Sequence, residues 1–166
     1  MCPLLVDIGL SLSQIGWMYG MAAYSAGLVG SLVAGVFIKS LGRVRSLLFS
    51  TLLLAGANTL HFLPAWGFTD LTVLYGVSTL FNFIYGMTSV ALSTMMMDNT
   101  RLKTAGTDYT LQATILFIGS LVAAGINGFL ATSIGYSGVF ITSGAITLVN
   151  AIIVAKGDFK YGEGAV

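Results

Sequence analysis

Five apolar stretches, at residues 14–38, 46–66, 71–97, 108–132 and 138–155, run without Asp, Glu, Lys or Arg except at their ends. A helix needs about 20 mainly apolar residues to cross the hydrocarbon core of a bilayer, and these stretches meet or approach that length. The composition agrees. Charged residues make up 8% of the 166-residue chain and hydrophobic ones 56%, whereas soluble domains carry about a quarter charged residues to cover their surface. The sequence therefore predicts an all-α integral membrane protein with five full transmembrane helices. Ahead of the first, "CPLLVDIG" reads as the end of a sixth. The expected organisation is a helix end and outer loop over 1–13, a five-helix bundle over 14–155 and a tail over 156–166.

Short connections ("KSLGRVR", residues 64–70, "DNTRLKTAGT" and "SIGYS") force consecutive helices to run antiparallel. Alternation then sorts the charges. Lys39, Arg43, Arg45, Arg101, Lys103, Lys156 and Lys160, all seven cations, fall on one side, while Asp7 and Asp70 fall on the other with no cation. Cations in short loops stay cytoplasmic during insertion, which predicts a cytoplasmic C-terminus.

Lipid offers helices no hydrophobic reason to associate, so small residues that let backbones approach must supply it. Ala22, Ala26, Gly30 and Ala34 form one such row, with Ala23, Gly27, Ser31 and Gly35 beside it. The fourth stretch repeats the device with Gly119, Ala123, Asn127 and Ala131, flanked by Ser120, Ala124, Gly128 and Thr132. Two doubled rows predict a tight bundle.

Whole function classes drop out. There is no basic face with interleaved aromatics for nucleic acid. One histidine, His61, and one cysteine, Cys2, leave no disulfide framework and no ligand cluster with zinc spacing. Nor is there a carboxylate pair within a membrane-depth segment or a phosphate-cradling loop. The expectation is no catalytic residue, no metal and no cofactor.

Polar groups inside a bilayer are costly unless they face protein or a water-filled cavity. Tyr75, Ser78, Asn82, Tyr85, Ser89 and Ser93 recur three and four apart, so they share one helix face. The fourth stretch presents Asp108, Gln112, Gly119, Ala123 and Asn127. The serines can bond backbone carbonyls one turn back. Asn82, Tyr85 and Gln112 have larger polar ends and are expected to meet a solute, with Trp17 and Tyr24 as walls. Asp108 is expected to cap its own helix, and His61 to be a hydrogen-bonded interfacial residue.

The loop "GVFIKSLGRVR", residues 35–45, carries a pattern of its own. Gly35 would let the helix end pack closely, Gly42 would allow a left-handed turn, and Arg43 and Arg45 would bond the negative ends of neighbouring helices. It resembles the loop motif of the major facilitator superfamily in its weaker second copy, with Lys39 where the motif has Asp and Ser40 where it has Arg. "MMMDNTRLKTAGTDYTLQATIL", residues 95–116, is similar to AmpG-like permeases, and closer still to siderophore importers of the RhtX/FptX type. The shared residues are Asp98, Arg101, Ala105, Thr107, Asp108, Tyr109, Thr110, Leu111 and Gln112. "DIGLSLSQIGW" resembles the entry to the family's eighth helix.

The resemblance implies the C-terminal six-helix half of a twelve-helix secondary transporter in a bacterial inner membrane. Its partners would be the bilayer, an N-terminal six-helix half and a bulky polar solute, a siderophore ahead of a muropeptide. In the family the seventh, eighth, tenth and eleventh helices line the central cavity, where the two polar stripes would then fall. A small membrane protein without transport activity is the competing reading.

Overall fold

The computed structural model describes residues 5–6, 9–61 and 70–162, and every regular element among them is helical. Leu5 and Val6 are helical, and Gly9 turns the chain at φ 94°. Ser11 then opens α1, Leu12–Leu41. Its hydroxyl accepts the Gln14 N–H at 3.2 Å while Gln14 Oε1 accepts the Ser11 N–H at 3.0 Å, a reciprocal cap that satisfies two otherwise orphaned donors. At 1.5 Å per residue α1 is about 45 Å long. It is not uniform. Leu12–Trp17 and Tyr24–Leu41 are α-helical, and Met18–Ala23 between them is π-helical.

One residue separates α1 from α2, Arg43–Leu60. That residue is Gly42, at φ 84°, ψ 168°, a conformation open essentially to glycine. The expected loop is therefore absorbed into helix ends, with Lys39 in the last turn of α1 and Arg43 and Arg45 in the first turn of α2. Helix α3, Leu71–Asp98, follows. The helix Ala105–Gly162 is broken at Gly135 (φ 71°, ψ 173°), a second one-glycine joint where a longer "SIGYS" connection was expected. Its arms are α4, Ala105–Ser133, and α5 beyond Gly135. Residues 156–162, expected as part of a tail, continue α5.

Among the described residues α1, α3 and α4 are long and apolar enough to cross a membrane, while the apolar run of α5 is the shorter Ile141–Ala155. Arg43 and Arg45 occupy the first turn of α2 and shorten its apolar run. Much of the expected extension of that span to residue 66 lies outside the described residues. Among the described residues there are thus five long helical segments, three of them of spanning length, where five full spans were expected.

Helix α1 packs on α3 with backbones nearly touching. A Cβ built on Gly30 would lie 2.0 Å from the Phe83 carbonyl oxygen, and one on Gly86 would lie 2.2 Å from the Gly27 carbonyl oxygen. Ser31 Oγ bridges the contact, donating to Gly27 O at 2.9 Å and reaching Gly86 O at 3.4 Å. At the far end Leu5, Ile15, Met18 and Leu74 form a buried cluster. The small-residue rows of α1 behave as expected, with one correction. A Cβ on Gly35 would meet nothing within 4 Å, so the close approach belongs to Gly27, Gly30 and Gly86 instead.

Buried Ser46, Ser50 and Thr51 line α2, and Thr88 Oγ1 on α3 donates to Ser50 O at 3.2 Å and to Ile84 O at 2.9 Å. On another side α2 meets α5, where Asn58 Nδ2 donates to Thr147 Oγ1 at 3.1 Å. The small-residue rows of α4 behave differently from expectation. Its apolar window holds no buried residue, and a Cβ on Gly119, Gly125 or Gly128 would meet nothing within 4 Å.

Candidate functional site

Away from the cationic end, α1 and α3 leave an open groove of about 600 Å³, within the volume range of small-molecule sites. Trp17, Tyr24 and Tyr75 are its aromatic walls, and Gly20, Met21 and Ala22 of the π-helical run also line it. Trp17 and Tyr24 are 63% and 67% exposed, so their ring faces are available. Ser25 Oγ donates to Ala22 O at 3.0 Å, which spends its hydrogen on its own helix. No Asp, Glu, Lys, Arg or His lines the groove among the described residues. What it offers is aromatic surface, two phenol hydroxyls and an indole N–H, a set suited to planar, polar, uncharged groups.

The groove unites two of the expected solute contacts, Trp17 and Tyr24, and adds Tyr75 from the stripe on α3. The other three stand elsewhere. Asn82 Nδ2 donates to Ser78 O at 2.9 Å, one turn back on α3. Gln112 Nε2 reaches Met96 O at 3.4 Å and ties α4 to α3. Tyr85 is exposed and stacks on Phe81 with ring centroids 6.2 Å apart. His61 is buried, with Nδ1 3.2 Å from Ala57 O and its ring edge-on to Phe81 at 4.8 Å.

The cationic end is held by two ion pairs that join the motif residues. Arg43, the first residue of α2, pairs through Nη1 with Asp98 Oδ1 at the last residue of α3. An acid there offsets a cation placed at the positive end of a helix dipole. The next loop is closed by Asp108. Its Oδ2 accepts the Arg101 backbone N–H and Nε at 3.0 Å each, and the Thr104 hydroxyl at 3.2 Å, while Oδ1 accepts Arg101 Nη2 at 2.9 Å. These bonds raise the Arg101 pKa above its already high ordinary value. Asp108 thus grips the preceding loop through Arg101, where a cap on its own first turn was expected. Lys39 sits where cations suit the carbonyl end of α1, and Arg45 is exposed.

Sequence reasoning missed the π-helical turn that lines the groove. The available signal was a five-residue step between buried positions, hidden because Ala22 and Ala23 are both small.

No solved structure matches the chain. The family model of the Major Facilitator Superfamily matches residues 1–158. A helical chain with membrane-length apolar spans, glycine-packed helices and a charge-paired loop end, matched over nearly its whole length, belongs to that superfamily of membrane transporters.

Proposed function

We propose that this chain forms one six-helix half of a twelve-helix secondary transporter that moves a bulky polar organic solute inward, and that the groove is part of its solute path. The observation that carries the reading is the meeting of Trp17, Tyr24 and Tyr75 around a groove lined, among the described residues, by no charged side chain. Aromatic faces hold planar groups by stacking while phenol and indole hydrogens satisfy polar ones. Halves of such transporters rock about a shared solute path, and the groove would form the part of that path that lies away from the cationic end. The cation asymmetry of the loops supports a cytoplasmic location for that end. A ferric siderophore is the favoured solute, on the similarity of residues 98–112 to siderophore importers, with a muropeptide next.

The test is uptake of labelled ferric siderophore by cells with and without the full-length gene, followed by Trp17→Ala and Tyr24→Ala. A lost stacking contact of about 0.5–1.5 kcal/mol corresponds to roughly twofold to tenfold weaker uptake per folded transporter. Muropeptide uptake in place of siderophore uptake would move the solute assignment. Normal uptake in both variants would remove the groove from the path.

A further inference from the structure

On an unbroken α-helix, residues that face one neighbour follow each other at steps of three or four. The residues that anchor α1 obey this on both sides of the π-helical run. Ile15 and Met18, three apart, enter the cluster with Leu74. Ala23, Gly27, Gly30 and Ala34 then follow at four, three and four, with Gly27 and Gly30 against the α3 backbone and Ala23 and Ala34 buried. Between Met18 and Ala23 the step is five. The backbone absorbs it there: the Tyr24 N–H donates to Tyr19 O, five residues back, as well as to Met21 O. Without that wide turn, one surplus residue would rotate the Ile15–Met18 face by about 100° away from Leu74.

We infer that α1 carries one residue more than its packing on α3 requires, that the π turn Met18–Ala23 holds this surplus, and that the turn is what forms the groove. Both flanks are anchored, so the extra chain length can bulge only between them. Gly20, Met21 and Ala22, inside the turn, line the groove, and Trp17 and Tyr24 stand at its two ends. Single π turns of this kind are insertions into α-helices and concentrate at functional sites. The solute role of the turn rests on the transport reading above; its structural role does not.

The experiment deletes Gly20 from the full-length protein, which shortens the step from Met18 to Ala23 to four and restores an α-helix with both anchors in register. The variant should accumulate in the membrane and melt like the parent. In a Cys2→Ser background, labelling of Tyr24→Cys by a water-soluble maleimide should be lost with the groove, and uptake, measured on the Gly20 deletion with Tyr24 intact, should be lost as well. Deletion of Leu32, between Gly30 and Ala34, has no wide turn to absorb it and should abolish folded protein. Equal behaviour of the two deletions would overturn the inference. So would a folded Gly20 deletion whose Tyr24→Cys labelling is unchanged. These arms use no solute. Lost labelling with full uptake would leave the π turn as assigned and count against the transport reading instead.

Discussion

Replacing Gly30 by Ala puts one methyl group where the structure has no room for it. The new Cβ would lie 2.0 Å from the Phe83 carbonyl oxygen, 2.8 Å from its carbon and 3.1 Å from its Cα, against an ordinary contact that begins near 3.4 Å. The obstacle is backbone, so no side chain can rotate aside, and α1 and α3 must separate locally by roughly 1.4 Å. Overpacking of this sort costs about 1–3 kcal/mol. Separation would also break the Ser31 hydroxyl contact with Gly86 O, already long at 3.4 Å. The assay is the thermal midpoint of the detergent-solubilised protein, followed by size-exclusion chromatography. Gly86→Ala should behave like Gly30→Ala, and the double variant should lose less than the sum, because helices already parted for one methyl have space for the second. Gly35→Ala is the control, since its methyl would meet nothing within 4 Å. Equal midpoints for Gly30→Ala and Gly35→Ala would refute the close-packing argument.

At the cationic end, Arg43→Ala and Asp98→Ala should each lower stability by at most about 1 kcal/mol, because the pair is partly exposed. Exchanging the two charges (Arg43→Asp with Asp98→Arg) should recover part of that loss at low salt; a swap no better than the single changes would show that the pairing carries no stability. Arg101→Gln removes the two guanidinium bonds to Asp108, and Asp108→Asn removes the charge that holds these together with the Arg101 backbone N–H and the Thr104 hydroxyl. Each should open residues 99–104 to protease in membrane vesicles, Asp108→Asn the more, and the double variant should be cut no faster than Asp108→Asn alone. Single cysteines at Asp70 and Lys103, in a Cys2→Ser background, should label from opposite faces of the membrane, and equal labelling of both from outside would overturn the topology.

The helices of spanning length were legible because hydrocarbon demands long uncharged runs, and α1, α3 and α4 have them. The α1 rows were legible for a related reason: Gly30 and Gly27 make the kind of close approach that membrane helices need. What stayed hidden was choice among equivalent small residues. Gly35 continues the same row, yet nothing in its neighbourhood in the sequence says that its side of α1 meets no neighbour. The rows of α4 look identical in sequence to those of α1, and only the structure shows that no described helix of this chain covers them. Asn82 and Gln112 read as solute contacts because amides need partners. A backbone carbonyl one turn back, or on the next helix, meets that need without leaving a pattern in the sequence.

The single-residue joint at Gly42 has a mechanical consequence. Leu41 and Arg43 can be no more than about 7 Å apart, so α1 and α2 have no slack at that end. The bond from Arg43 to Asp98 brings the end of α3 to the same corner. Three helix ends meeting there oppose lengthwise sliding and make the corner the natural fulcrum for a tilt of the three helices. Tyr24 lies eighteen residues from Gly42, a lever arm of about 27 Å. Because α1 is packed on α3 on both sides of the groove, a tilt of roughly 5° at the fulcrum carries the groove and both its walls by about 2 Å as one unit at that radius.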